Sequence, residues 1–314
     1  MIMRVKIVGS AAGGGVPQWN GNDRLNARAR AGEDGVRPRT QSCLAVSENG
    51  SDWVLVNASP DIRQQIAQTP ELQPQAGAPA RATPIRAVIL TSADVDHVAG
   101  LLSLRERQSF ALYATPRVLE ALAANPIFNV LDPALVPRRA LVQAGEVEIC
   151  DASGRTAAIR IESFPVPGKI ALYLEGARVS DAELASSAGE TIAVRLVDAV
   201  TGASVFYIPA CARIDAGLRT RLAGAQCLLF DGTFFTEDEM IAAGVGEKTA
   251  ARMGHLAMSG ENGAIAALAG VPIGRRIFVH VNNTNPVLDD HSAERQAIRA
   301  AGWEVAEDGM EIAL

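Results

Sequence analysis

Cysteine is scarce and dispersed. Cys43, Cys150, Cys211 and Cys227 form no CxxC pair, which argues against a disulfide framework or a local zinc knuckle; three of the four are expected to be buried free thiols. Long apolar runs are missing too. None reaches the roughly 18 to 20 residues that a membrane-spanning helix requires, so no direct membrane insertion is expected. The start, Met1-Ile-Met-Arg-Val-Lys-Ile-Val-Gly9, interleaves charge with short apolar stretches and runs into a glycine-rich turn. That is unlike a signal peptide, and the expected location is the cytoplasm. A basic stripe is also lacking: Lys and Arg are scattered along a chain of net charge −6. Nothing is placed to neutralise a phosphate backbone, and nucleic acid is not an expected partner.

What is present is a chain of 314 residues, 48% of them hydrophobic, enough for one large core without linkers, so residues 1–314 are read as a single domain. Short β-branched or aliphatic runs end abruptly in polar residues or glycine, the pattern of strands delivering side chains to one sheet edge. They are Val5–Val8, Trp53–Val56, Ala87–Leu90, Val205–Ile208, Cys227–Phe230 and Ile277–Val279. Helical patterns lie between them at Ser59–Gln68, Arg117–Ala124, Ala216–Ala223, Gly260–Ala269 and Ser292–Ala301. This alternation predicts an α/β fold. Asn20–Arg37 and Glu71–Ala82 lack apolar periodicity and read as loops.

The sharpest chemical feature is Thr91-Ser92-Ala93-Asp94-Val95-Asp96-His97, directly after a strand. Two carboxylates and an imidazole at one turn can converge on a borderline divalent cation such as iron(II), manganese or zinc. Capping of the following helix is the alternative reading. His280 follows another strand and is succeeded by Asn282, Asn283 and Asn285, which suggests a polar pocket wall. Asp231 ends a nearly pure apolar strand, and a carboxylate buried there must find a cation or donors. For His255 three readings stay open: substrate contact, fourth ligand or helix cap. His291 reads as a solvated helix start. Gly9–Asn20 is glycine-rich but is not a dinucleotide fingerprint, because Pro17 interrupts any helix that might follow. Asn57, Asp61 and Arg63 sit near a strand end, where they can orient groups behind the ligands.

The Thr91–His97 stretch resembles the metallo-β-lactamase signature HxHxDH, with Ser92 and Asp94 in the first two histidine positions and Asp96 and His97 retained. The blocks Gly9–Asn20, Arg37–Ser42, Asn57–Ile66, Asp94–Glu106, Leu228–Phe234 and His280–Leu288 together resemble the protein B family of pyrroloquinoline quinone (PQQ) biosynthesis, in order along nearly the whole chain. The resemblance implies an αββα sandwich with two mixed sheets flanked by helices, and a place in building PQQ from a Glu- and Tyr-containing peptide precursor. The activity it favours is iron(II)-dependent hydroxylation of the tyrosine ring of a Glu-Tyr unit. Assistance in moving PQQ or its precursor to the periplasm and a metal-dependent hydrolase are the alternatives.

On that resemblance Asp94, Asp96, His97 and His280 are the expected catalytic metal ligands, with Asp231 and Ser92 as nearby alternates. The metal is expected to be iron(II), with zinc the other candidate. Ser92, His255 and Asn282 are expected near substrate, and Arg39, Arg63 and Arg105 as anchors for its carboxylates, because guanidinium makes paired hydrogen bonds to them. A homodimer is compatible with the resemblance. Relatives carry a cysteine cluster after Gln-Trp-Asn where this chain has Gly21-Asn-Asp-Arg-Leu-Asn26, so no structural zinc is expected there. Where many metallo-β-lactamases have Pro-Gly-His and Gly-Asp elements, this chain reads Val166-Pro-Gly-Lys169 and Pro209-Ala-Cys211. Lys169 is expected to place a positive charge in the second metal's space, and Cys211 to sit at the site edge.

Overall fold

The computed structural model describes residues 2–142, 145–169, 171, 173 and 190–314. Among these residues fourteen strands form two seven-stranded sheets. The first contains β1 (Arg4–Gly9), β2 (Cys43–Ser47), β3 (Trp53–Val56), β4 (Ile85–Ile89), β5 (Ala111–Ala114), β6 (Arg138–Ala140) and β14 (Glu311–Ala313). The second contains β7 (Glu146–Cys150), β8 (Thr156–Pro165), β9 (Ile192–Asp198), β10 (Ser204–Ile208), β11 (Cys227–Asp231), β12 (Arg275–Val279) and β13 (Glu304–Val305). Their orders, β14-β1-β2-β3-β4-β5-β6 and β7-β8-β9-β10-β11-β12-β13, follow one plan. Each sheet runs antiparallel across its first four strands in that plan, up to β3 or β10, and parallel beyond.

Side-chain alternation along the strands produces the layers. Val5, Ile7, Leu44, Val46, Val54 and Ile89 meet Ile161, Val194, Leu196, Val205, Leu229 and Ile277 between the sheets. The intervening residues face outward onto helices: Ala45, Leu55, Val88 and Leu112 on one side, Phe206, Leu228, Phe230 and Phe278 on the other. Central parallel strands buried on both faces read as continuous apolar runs, which is why β3, β4, β10 and β11 stand out in the sequence. The architecture is the metallo-β-lactamase αββα sandwich.

Three local expectations change. Asn20–Arg37 contains a helix, Arg24–Ala31, capped by Asp23 accepting from the Leu25 and Asn26 amides and closed by left-handed Gly32. Its arginines obscure any apolar stripe, and it is held by polar tertiary contacts, Arg28 to Asp289 and Asn26 Nδ2 to Asn283 Oδ1 at 3.0 Å. Two expected helices are shorter: that at Ser59–Gln68 begins only at Ile62, where Ser59 Oγ accepts from the Asp61 amide at 3.2 Å and donates to Gln65 Oε1 at 3.0 Å, and that at Gly260–Ala269 is Ala264–Ala267. Glu71–Ala82 is irregular beyond the turn Pro70–Leu72, as expected. Among the described residues no helix is long and apolar enough to cross a membrane.

The sheets touch where the parallel strands end. The Ile192 amide donates to the Thr91 carbonyl at 2.9 Å, and the Ala12 amide to the Val281 carbonyl at 2.9 Å. The segments following β4, β11 and β12 therefore open onto one cleft, the usual ligand position at the carboxyl ends of parallel strands.

Candidate metal centre

A cavity of about 130 Å3 lies in that cleft, lined by Asp94, Asp96, His97, Lys169, His255, His280 and Asn282 among others. Among the described residues, two groups of three potential ligands lie at this cleft, each with its donor atoms within 4.8 Å of one another: Asp96, His97 and His280, and Asp231, His255 and His280. His280 belongs to both. It follows β12 with φ of 59°, a left-handed conformation costly for a residue with a side chain and found where the surrounding structure enforces it. Asn57 has the same feature, with φ of 66°; its Oδ1 accepts from the Thr91 amide at 2.9 Å and the Thr91 hydroxyl at 3.0 Å. That interaction braces the strand end from which the Asp/His turn departs.

Two carboxylate–hydroxyl–imidazole relays set the histidine tautomers. A hydroxyl has one proton, and a carboxylate only accepts. Ser92 Oγ donates to Asp94 Oδ2 at 3.1 Å, so toward His97 Nδ1, at 2.8 Å, it accepts an N–H. Thr233 Oγ1 donates to Asp231 Oδ1 at 2.7 Å, so toward His280 Nδ1, at 2.8 Å, it likewise accepts. Both rings therefore turn Nε2 toward the cation position, the arrangement that orients metal-binding histidines. His280 Nε2 lies 3.1 Å and His97 Nε2 3.8 Å from the same Asp96 Oδ2. His97 Nε2 is buried without a hydrogen-bond partner among the described residues. A buried polar atom left unpaired is costly, and a cation shared with Asp96 and His280 would satisfy it. The residues present thus fit a divalent metal.

The titration directions agree with that fit. Burial lowers the His97 pKa against the pull of Asp96, favouring the neutral ligand form. Burial works to raise Asp96, but the His97 and His280 rings outweigh it and hold the carboxyl well below its usual range. For His280, burial is overcome by the hydrogen bond and charge of Asp96, and its pKa rises. A cation there would displace the proton from Nε2, so metal binding is coupled to proton release.

The structure separates the expected site residues. Asp96, His97 and His280 converge, and Asp94 lines the same cavity but is outside both ligand groups. It faces Ser92 and, at 3.9 Å from Oδ1, the Lys169 ammonium. Asp231 is fully buried and joins His255, whose Nδ1 is 2.9 Å from Oδ2. Lys169 lies against the turn before His255; a Cβ on Gly254, where φ is +82°, would come within 2.9 Å of the Lys169 amide nitrogen, so glycine is required there. Cys211 reaches the edge through its backbone, whose N–H donates to Asp231 Oδ2 at 2.9 Å. Cys43, Cys211 and Cys227 are buried free thiols.

Arg39, Arg63 and Arg105 do not line this cavity. Arg39 is buried and donates to the Ala306 carbonyl; Arg63 is exposed on the helix Ile62–Gln68. Arg105 is exposed and donates to the Leu102 carbonyl at 2.8 Å. Guanidinium chemistry suits each to anchor a carboxylate, yet Arg39 also meets Ser10 Oγ at 3.4 Å and Glu307 at 3.8 Å, and Arg105 meets Glu106 at 3.6 Å, so these two are engaged by the protein's own groups. Substituting Arg39→Met is expected to cost about 2 kcal/mol of stability, through the stranded Ala306 carbonyl, while leaving cation affinity unchanged. Chemical denaturation and a metal competition titration measure the two effects; a loss of affinity in folded variant protein would contradict this placement. Sequence reasoning missed Thr233, whose only signal is a hydroxyl two residues beyond the buried Asp231.

Residues 52–281 match the family model described as beta-lactamase superfamily domain. A protein of Methylobacterium nodulans named coenzyme PQQ synthesis protein B is 53% identical over 313 residues, 99% of this chain and 100% of that protein. One of the same name from Xanthomonas campestris pv. campestris is 47% identical, with coverage of 99% and 100%. The crystal structure of Zn(2+)-bound PqqB from Methylobacterium extorquens superposes with a TM-score of 0.92 at 48% identity, covering 99% of this chain and 100% of that one. A diphosphatase of the PhnP family, at 17% identity and a TM-score of 0.68 over 100% and 98% of the two chains, shares the fold.

Proposed function

Because the chain belongs to the coenzyme PQQ synthesis protein B family of the beta-lactamase superfamily, we propose that it is an iron(II)-dependent hydroxylase acting on the tyrosine ring of a Glu-Tyr-containing precursor of PQQ. One observation carries this reading: two imidazoles and one carboxylate, His97, His280 and Asp96, converge at a cavity, the donor set that non-haem iron(II) oxygenases use. Asp96, His97 and His280 would hold the metal, which when bound supplies dioxygen binding and activation. The remaining chemistry belongs to the chain. Ser92 and Thr233 hold the two imidazoles with Nε2 available. Asp231, fixed by the Cys211 amide, Thr233 and His255, keeps the Thr233 hydroxyl pointing away from His280. Lys169 and Asn282 line the cavity where an acidic, polar dipeptide would bind. Hydroxylation places one oxygen atom of dioxygen in the ring; two electrons from a reductant and two protons carry the other to water. In this reading the protein works in the cytoplasm on a peptide partner.

The deciding experiment is anaerobic reconstitution with iron(II), then exposure to dioxygen and reductant with Glu-Tyr, followed by mass spectrometry. A gain of one oxygen atom on the tyrosine ring is expected. Turnover that proceeds without dioxygen in zinc-loaded protein would replace this reading with a hydrolase. Tight binding of PQQ that survives Asp96→Ala and His97→Ala, without any oxygenated product, would replace it with a carrier.

A further inference from the structure

Glu239 is a buried carboxylate that the metal centre does not use. It opens the short helix Glu239–Ala242 and is 7% exposed. Its Oε2 accepts from the Phe235 amide at 2.7 Å, and its Oε1 accepts from the Thr284 hydroxyl at 2.5 Å. The second contact determines the direction of a chain leading to the cavity. Thr284 has one hydroxyl proton; when Glu239 is ionised, its oxygen at 2.5 Å claims that proton over the Met240 thioether at 3.8 Å. Toward Asn282, Thr284 therefore acts only as an acceptor, and Asn282 Nδ2 donates to it at 2.7 Å. The other Nδ2 proton faces Met240 Sδ at 3.4 Å, also an acceptor.

Both donors of the Asn282 amide are thus committed. Its Oδ1 accepts one hydrogen bond, from Asn283 Nδ2 at 3.2 Å, whereas an amide oxygen has two lone pairs. The unused capacity of this side chain is an acceptor, and Asn282 lines the cavity. A free asparagine can present either end of its amide; this one is oriented by a carboxylate two hydrogen bonds away.

We infer that Glu239 and Thr284 are positioning residues that hold Asn282 with its carbonyl oxygen available to the cavity, so that the site selects a ligand bearing an N–H or O–H donor at that position. The inference deepens the proposed function, on which its choice of Glu-Tyr as ligand rests. Glu-Tyr offers three such donors: the ammonium, the peptide N–H and the phenolic O–H.

Glu239→Gln is nearly isosteric and reverses the relay. Its amide can donate to Thr284, whose proton is then released toward Asn282, and the Asn282 amide turns over. Burial pushes Glu239 up to about 7, with the Thr284, Phe235 and Thr236 donors opposing, so binding is measured at about pH 8.5, where the carboxylate is ionised. With zinc-loaded protein and Glu-Tyr as probe, Glu239→Gln is expected to weaken binding about tenfold or more. Adding Asn282→Asp is expected to recover it, because a carboxylate accepts on both sides whichever way the relay runs. Thr284→Val should reproduce the loss and Thr284→Ser should not, and this pair decides the matter if Glu239→Gln fails to fold. In the iron-loaded protein the loss should appear in KM with kcat nearly unchanged. Parallel titrations with N-acetyl-Glu-Tyr and Glu-Phe identify the donor: Glu239→Gln leaves binding of the probe that lacks it unchanged, and a loss with both probes assigns the peptide N–H.

The orientation is also read without ligand. In 15N-labelled protein the Asn282 side-chain amide signals, identified by their loss in Asn282→Asp, should shift on Glu239→Gln. Signals that stay put, or undiminished Glu-Tyr binding by folded Glu239→Gln and Thr284→Val proteins, would overturn the inference. If wild-type protein ignores Glu-Tyr while those signals move, the substrate reading falls and the relay stands.

Discussion

His280→Ala and Asp96→Ala are each expected to lower divalent-cation affinity by at least about a hundredfold, because each removes one of three converging ligands, and altering a group merely behind a ligand already costs about 10–100-fold. His280 is the more damaging of the two to lose, since it is common to both ligand groups. Thr233→Val provides the graded control. It keeps every ligand but frees the His280 Nδ1 that now faces the hydroxyl at 2.8 Å, so affinity should fall about 10–100-fold. Competition titration with a chelating dye measures all three, with circular dichroism confirming that the metal-free variants fold. Affinity within about threefold of wild type in folded His280→Ala protein would dismantle the proposed centre.

Asp231→Ala is expected to destabilise the protein by about 3–5 kcal/mol, because it removes a buried carboxylate acceptor and leaves its buried donors unpaired. The carboxylate is fully buried and accepts from the Cys211 amide at 2.9 Å, the Thr233 amide at 3.0 Å, the Thr233 hydroxyl at 2.7 Å and His255 Nδ1 at 2.9 Å. Removing it strands those donors and releases the Thr233 hydroxyl from its fixed direction. Burial works to raise the Asp231 pKa, but the His255 charge and hydrogen bond, with Thr233, hold it below the ordinary value. A carboxyl depressed in the folded state stabilises above its unfolded pKa of about 3.9 and loses that contribution as pH falls through the folded value. The stability gap between wild type and Asp231→Ala should therefore be wide near neutrality and shrink only in acid. Urea denaturation across that range measures it; a gap of less than about 1 kcal/mol near neutral pH would show that the carboxylate is not sustaining these contacts.

The legible parts of the site were those that needed no distant partner. Asp94, Asp96 and His97 lie in one turn after an apolar strand, Asp231 ends the apolar strand Cys227–Asp231, and His280 directly follows the apolar run Ile277–Val279, so local pattern alone marked them. The helix Arg24–Ala31 was hidden because polar tertiary contacts and caps, rather than an apolar stripe, hold it. Arg39 illustrates the opposite error. Its residue type suits a substrate carboxylate, while its actual acceptor, the Ala306 carbonyl, lies 267 residues away in sequence.

Local composition and strand-end chemistry by themselves determined the α/β class, the order of the central strands' segments and the set of groups able to bind a cation. Tertiary structure decided which of those groups share an ion, how each imidazole is turned and which arginines serve the scaffold. The physical reason is reach. Burial and alternation act between near neighbours along a chain, whereas a hydrogen bond's direction depends on a partner that only folding brings within about 3 Å.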